Sequence, residues 1–124
     1  MFADDSDTVR RLITRLLIES DPAWEIYEAK TGKEALETAL FIKPDLMLVD
    51  INLPDMQGTE VAQKIRKCLP SVKIVLCSLS DPSDVASQVK ASGADGYISK
   101  LAPMEEFHQI LAKLGPVHTI AGPR

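Results

Sequence analysis

Apolar residues recur along the chain at helical spacing in separate blocks. From about Asp7 to Glu19 they follow i, i+3, i+4, i+7 and i+8, which is one face of a helix. Thr31 begins the pattern T-G-K-E, in which the Thr31 hydroxyl and the Glu34 carboxylate satisfy free amides of a first helical turn. The spacing and its proline and glycine boundaries predict helices over about 7–19, 31–43, 61–69, 82–92 and 103–114.

Short apolar segments separate these helices. WEIYEA is rich in aromatic and β-branched residues, and its alternating charges indicate an edge strand. DLMLVD and VKIVLCS lack polar alternation, which is typical of a parallel sheet with helices on both faces. With MFA at the start and DGYIS before the last helix, the order is (βα)5. We therefore predict an α/β fold with a doubly wound parallel sheet.

The composition fits one folded domain that neither binds nucleic acid directly nor crosses a membrane. The 124 residues are 45% hydrophobic, and a net charge of −4 without a basic stripe argues against direct nucleic-acid binding. No apolar run approaches the roughly 20 residues that cross a membrane, and the start lacks a signal-peptide pattern, so we expect a cytoplasmic protein. Cys68 and Cys77 have no metal-binding or disulfide pattern. We expect one domain over 1–114 and a flexible tail over 115–124.

Polar side chains stand where the predicted strands end. Asp4 and Asp5 follow the first strand, Asp50 ends the third, Ser78 ends the fourth, and Lys100 follows the fifth. Parallel strands bring these ends to one edge of the sheet, where α/β proteins bind ligands. Carboxylates that lie close together repel unless a cation binds, and an oxygen-only set suits Mg²⁺. An aspartate here is a candidate phosphoryl acceptor, because a divalent cation, an ammonium and a hydroxyl would offset the transferred charge.

Four motifs at matching intervals resemble one known family. They are A-D-D-S at 3–6, V-D-I-N-L-P-D-M-Q-G at 49–58, V-L-C-S-L-S-D at 75–81 and G-A-D-G-Y-I-S-K at 93–100. From Met1 to about Leu114, their order and spacing resemble the receiver domain of two-component response regulators. The resemblance implies a flavodoxin-like fold with strand order 2-1-3-4-5. It also implies a signalling domain, not an enzyme, that catalyses only its own phosphorylation and dephosphorylation.

The resemblance implies a role for each residue of the predicted site. Asp50 would be the phospho-acceptor. Asp5 and Asp50 would bind Mg²⁺ directly, Asp4 through water, and Asn52 through its backbone carbonyl. This metal site would lie at the carboxyl edge of the sheet.

The resemblance also implies a switch and a partner. Lys100 and Ser78 would contact the phosphoryl oxygens, and the rotamer of Tyr97 would follow the state of Ser78. The donor would be a phosphohistidine on a sensor histidine kinase or a histidine phosphotransfer protein. Phosphorylation would reshape the face made by the fourth helix, fifth strand and fifth helix, which would then serve a dimer or a downstream target.

Other interpretations of the same residues stay open. A pseudo-receiver would share the fold and act only as an interaction module. A small aspartyl-phosphate phosphohydrolase similar to haloacid dehalogenases would need an aspartate in place of Asn52 and a cap over its substrate. Asp4 or Asp5 could instead only start the first helix, and Tyr97 could be an ordinary edge-strand aromatic.

The two ends of the chain leave further alternatives. Only Met1, Phe2 and Ala3 precede the first aspartates, whereas receivers usually have a longer apolar strand there. We expect this to lower stability more than to change the chemistry. The motif at 75–81 resembles receivers with a helix-turn-helix output domain, so an independent receiver and part of a longer regulator both fit.

Overall fold

The computed structural model describes residues 2–3, 15, 27–100, 106 and 109. Its strands are β1 Phe2–Ala3, β2 Glu28–Ala29, β3 Leu46–Asp50, β4 Lys73–Ser78 and β5 Gly96–Ser99. Its bounded helices are α1 Gly32–Ile42, α2 Gly58–Cys68 and α3 Pro82–Ser92, which are the second, third and fourth predicted helices. Most residues of the first and fifth predicted helices, and the whole predicted tail, lie outside the described residues.

The strands form one parallel sheet in the order β2-β1-β3-β4-β5. This agrees with the predicted order, and β2 lies at an edge as its alternating charges indicate. The strands are paired so that Asp50 lies beside Cys77, and Ser78 lies beside Ser99. The carboxyl ends of β3, β4 and β5 therefore meet at one edge of the sheet.

Both faces of the central strands are buried. Met47 and Val49 belong to the core cluster that includes Ala35 of α1 and Val61 of α2. Leu48 lies on the opposite face, because side chains alternate along a strand, and it is equally buried. Burial on both faces explains the absence of polar alternation in β3.

The first turn of α1 differs from the predicted capping box. The Thr31 hydroxyl accepts the Glu34 N–H at 3.1 Å, as predicted. The amides of Gly32 and Lys33, however, donate to the carboxylate of Asp55. Among the hydrogen bonds of the described residues there is none from the Thr31 N–H to the Glu34 carboxylate, so this half of the prediction was wrong. A carboxylate that accepts two amides at once satisfies more free donors than a reciprocal bond would.

The ends of α3 confirm the sequence signals. Asp81 caps the helix by accepting the Ser83 N–H at 3.0 Å, and Pro82 occupies the first turn. The Ser83 amide and hydroxyl both donate to Asp81 and hold the pKa of its carboxyl below its ordinary value. Gly93 follows the helix in the left-handed conformation, with φ at 80°. None of the helices in the described ranges is long and apolar enough to cross a bilayer.

Candidate functional site

Asp50 is the last residue of β3 and is only 4% exposed. The four strand residues before it are apolar and buried, so β3 delivers the carboxylate to the edge of the core. Its Oδ1 accepts the Asn52 N–H at 3.0 Å, and its Oδ2 accepts the Lys100 ammonium at 2.8 Å. These hydrogen bonds offset the hydration free energy that the carboxylate loses on burial.

Lys100 reaches Asp50 because β4 and β5 are in register. Ser78 pairs with Ser99, and the N–H of the next residue, Lys100, donates to the Ser78 carbonyl at 2.8 Å. The sequence prediction that Asp50, Ser78 and Lys100 meet at one edge is therefore what the geometry shows. A lysine ammonium is a compact charge on a flexible stem, so it can stay near a carboxylate whose oxygens bind another group.

Ser78, Tyr97 and Ser80 form a hydrogen-bonded group at the end of β4. The Ser78 Oγ lies 2.8 Å from the Tyr97 hydroxyl and accepts the Ser80 N–H at 3.2 Å. The Tyr97 hydroxyl also donates to the Ser80 carbonyl at 2.6 Å. Because a phenol has a single proton, this bond leaves the Ser78 hydroxyl to donate to Tyr97. The orientation of Ser78 is thereby tied to the position of the Tyr97 ring.

The loop from β3 to α2, residues 51–57, turns tightly around the end of β3. The N–H of Gly58 donates to the Ile51 carbonyl at 2.6 Å, and Asn52 pairs with Gln57 as an antiparallel bridge. A Cβ atom at Gly58 would lie 2.8 Å from the Asp50 carbonyl carbon and 2.9 Å from Ile51 Cα. Glycine is required here because the first turn of α2 approaches the backbone of β3 so closely.

Two predicted oxygen donors for Mg²⁺ lie within the described residues. The Asp50 carboxylate is one, and the backbone carbonyl of Asn52 is the other. The Asn52 carbonyl accepts no hydrogen bond from another described residue, whereas the adjacent Ile51 carbonyl accepts one. A carboxylate and a backbone carbonyl two residues apart are oxygen donors of the kind that Mg²⁺ prefers, so these two residues fit this ion.

The other predicted ligands, Asp4 and Asp5, lie outside the described residues. β1 is described as far as Ala3, which pairs with Val49, the residue before Asp50. No three acidic, histidine or cysteine side chains come together as a metal site in the part of the chain that the structure describes. The complete ligand set therefore stays a prediction.

Asp55 was missed by sequence reasoning. Its Oδ1 accepts the Gly32 N–H at 2.7 Å and its Oδ2 accepts the Lys33 N–H at 2.9 Å. These two amide hydrogen bonds hold the pKa of the Asp55 carboxyl below its ordinary value of 3.8. The contact joins residues 22 and 23 positions apart, so no local pattern could have revealed it.

The fold and this edge of the sheet define a class of protein. The chain belongs to the response regulator receiver domain family, whose sequence profile matches residues 1–112. It is 30% identical over 114 residues to the response regulator GacA of Pseudomonas aeruginosa, which covers 92% of this chain and 53% of GacA. It is 33% identical to the response regulator protein VraR of Staphylococcus aureus, over 91% of this chain and 54% of VraR. The chain thus spans about half the length of these curated relatives.

Solved structures show the same fold. The response regulator TrrA of Thermotoga maritima, in complex with Mg²⁺-BeF, has a TM-score of 0.82 and 33% identity, and the match covers 91% of this chain and 95% of TrrA. A LuxR-family response regulator of Aurantimonas sp. has a TM-score of 0.83 and 29% identity, covering 98% of this chain and 87% of that one. The flavodoxin-like prediction is confirmed.

Membership of this family defines the kind of activity. As a receiver domain, the chain is a phosphorylation-dependent switch of two-component signalling. Response regulators receive phosphoryl groups from histidine kinases, and receiver domains generally use Mg²⁺. Receiver domains are signalling domains.

Proposed function

We propose that Asp50 is the residue of this chain that accepts the phosphoryl group. The observation that carries the proposal is the Lys100 ammonium, 2.8 Å from Oδ2 of a buried carboxylate at the carboxyl edge of the sheet. A buried nucleophile with an adjacent mobile cation suits the transfer of an anionic group.

The transfer and the later hydrolysis each form one bond to phosphorus and break another. An Asp50 oxygen attacks the phosphorus of a phosphohistidine, the phosphorus–nitrogen bond breaks, and the imidazole leaves. Water later attacks the same phosphorus, the bond between phosphorus and the Asp50 oxygen breaks, and inorganic phosphate leaves Asp50 as a carboxylate. Lys100 remains beside the site and offsets charge on the phosphoryl oxygens, and the Ser78 hydroxyl donates to one of them. Mg²⁺ bound by Asp50, the Asn52 carbonyl, Asp5 and, through water, Asp4 would supply further positive charge.

The contacts of Ser78 support a switch that involves Tyr97. The Ser78 hydroxyl cannot donate to a phosphoryl oxygen and to the Tyr97 hydroxyl at the same time. Phosphorylation therefore removes one of the hydrogen bonds that hold the Tyr97 hydroxyl and leaves the bond to the Ser80 carbonyl, so the ring is held less firmly. Tyr97 lies in β5 next to α3, so the change alters the predicted surface for a dimer or a downstream target.

The proposed partner is a sensor histidine kinase or a histidine phosphotransfer protein, and the proposed compartment is the cytoplasm. Support for the compartment comes from the cysteines: Cys68 is exposed, Cys77 is buried, and the two are not joined in a disulfide. Cysteines that form no disulfide suit a reducing compartment. We further propose one receiver unit over 1–114, as the sequence predicts.

The test is the intact mass of the protein after incubation with Mg²⁺ and acetyl phosphate. The parent should gain one phosphoryl group, and Asp50→Asn should gain none, because an amide oxygen is a poor nucleophile. Circular dichroism is used to check that the variant is folded.

Two results would contradict the proposal. A folded parent that gains no phosphoryl group would indicate a pseudo-receiver, which only mediates interactions. Steady turnover of a generic phosphomonoester that Asp50→Asn abolishes would indicate a phosphohydrolase.

A further inference from the structure

The loop that carries Asn52 is attached to the rest of the molecule at its base. The Asn52 N–H donates to Asp50, the Asn52–Gln57 bridge closes the loop, and the Gly58 N–H donates to Ile51. These contacts hold the two ends of the loop. They leave the position of its middle residues to other contacts.

The middle of the loop is attached to the first turn of α1. Asp55 accepts the N–H groups of Gly32 at 2.7 Å and Lys33 at 2.9 Å. Thr31 accepts the third free amide of that turn, from Glu34. Asp55 itself is exposed, and charge-assisted bonds to backbone amides are stronger than neutral ones. The carboxylate thus fixes the loop to a helix end that is itself fully capped.

Packing adds a second contact between the same two segments. A Cβ atom at Gly32 would lie 2.7 Å from the sulfur of Met56, so Met56 occupies the space that a side chain at Gly32 would need. Met56 is partly buried against the core cluster. Asp55 and Met56 therefore hold the loop against α1 by two different interactions.

We propose that Asp55 is a positioning residue for the Mg²⁺ site, which it serves by holding the loop that presents the Asn52 carbonyl. The inference rests on the proposed function. Mg²⁺ demands closely defined ligand geometry, so a carbonyl on a loosened loop binds it less well. Residues that orient metal ligands from outside the ligand set commonly change metal affinity when they are replaced. By linkage, Mg²⁺ binding should in turn stabilise the first turn of α1.

The experiment compares two variants of the same helix end. Asp55→Ala removes the contact between loop and helix, whereas Thr31→Ala removes a local cap of the same turn and leaves Asp55 in place. Mg²⁺ binding to the whole chain is measured by isothermal titration calorimetry. We expect about a tenfold rise in the dissociation constant for Asp55→Ala and at most about a twofold change for Thr31→Ala.

Two further measurements separate positioning from simple capping. Asp55→Asn keeps one oxygen acceptor and should recover part of the Mg²⁺ affinity. In the parent, Mg²⁺ should slow hydrogen exchange of the Gly32 and Lys33 amides, and in Asp55→Ala it should not.

Three results would overturn the inference. Equal Mg²⁺ affinity in parent and Asp55→Ala would show that the loop needs no anchor at Asp55. Equal weakening by Asp55→Ala and Thr31→Ala would assign the effect to general loss of helix stability. A parent that binds no Mg²⁺ would overturn the proposed metal site and the inference together, whereas the first two results leave phosphorylation of Asp50 intact.

Discussion

β4 has a cation and a carboxylate paired near each of its ends, and the two pairs are built differently. At the carboxyl end, Lys100 Nζ lies 2.8 Å from Asp50 Oδ2. At the amino end, Arg66 Nη2 lies 2.7 Å from Asp95 Oδ2. The side chains of the first pair are 12% and 6% exposed, and those of the second are 27% and 29% exposed. The nitrogen–oxygen distances of the two pairs are nearly equal, so the surroundings must decide what each pair does.

Arg66 uses its guanidinium to join separate chain segments. It also donates to three backbone carbonyls at 2.7 to 3.1 Å, which are those of Pro70, Val72 and Gly93. Asp95 accepts the Ile74 N–H at 2.8 Å with the same oxygen that binds Arg66. A planar fork with several fixed donors suits this role, and its partners hold α2, β4 and β5 together.

Lys100 forms the opposite kind of pair. An ammonium on a flexible stem has no fixed fork, so this pair suits the proposed site, in which Asp50 would bind a phosphoryl group and a metal ion. The comparison indicates that the amino end of β4 is built to stay in one arrangement. Under the proposed function, the carboxyl end changes its partners.

The largest expected effect is on the pair at the carboxyl end. Lys100→Met should slow phosphorylation by acetyl phosphate about 100-fold, because a preorganised charge that stabilises the transferred group is lost. The rate is followed as the gain in intact mass with time. Arg66→Met removes the same charge at the other end and should leave the rate unchanged in folded protein. Similar rates for both variants would remove the distinction between the two pairs.

The second expected effect is on stability at the amino end. Arg66→Met should lower the free energy of unfolding by about 2 to 3 kcal/mol, because the buried Val72 carbonyl loses its Arg66 partner along with the other hydrogen bonds. Urea denaturation measures the change. Arg66→Lys should recover little, since one ammonium cannot span these acceptors. Full recovery by lysine would show that only the charge matters.

A smaller effect is expected at Leu79, beside the carboxyl end of β4. This residue follows Ser78 in the chain, and its side chain is 66% exposed. Leu79→Ala should speed loss of the phosphoryl group by a few-fold, because water gains access to the phosphorus. The decay of the phosphorylated mass after removal of the donor measures this. A slower decay would show that Leu79 does not shield the site.

The smallest effect is the pH dependence contributed by Asp55. Its pKa lies below the ordinary value of 3.8 in the folded protein, chiefly because the Gly32 and Lys33 amides donate to it. As the pH falls, the unfolded chain binds the proton first, so this stabilisation is complete above 3.8 and is lost through the folded pKa. Asp55→Asn should flatten the part of the stability curve that lies below 3.8. An unchanged slope would contradict the assignment.

The sequence by itself determined the elements and much of the candidate site. The boundaries of α3 follow from Asp81, Pro82 and Gly93, because capping and left-handed residues act within a few positions of the chain. Asp50 and Lys100 could be predicted to meet, because parallel strands bring their carboxyl ends together whatever lies between them.

Only the tertiary structure decided which distant groups complete that site. Asp55 was not predicted to cap α1, and Arg66 was not predicted to join Pro70, Gly93 and Asp95. Asp55 and Arg66 form most of these hydrogen bonds with backbone groups. Every residue carries such groups, so the sequence does not indicate which residue will be the partner. Such contacts depend on how far apart the folded segments lie, and that distance is set by the packing of the whole sheet and its helices.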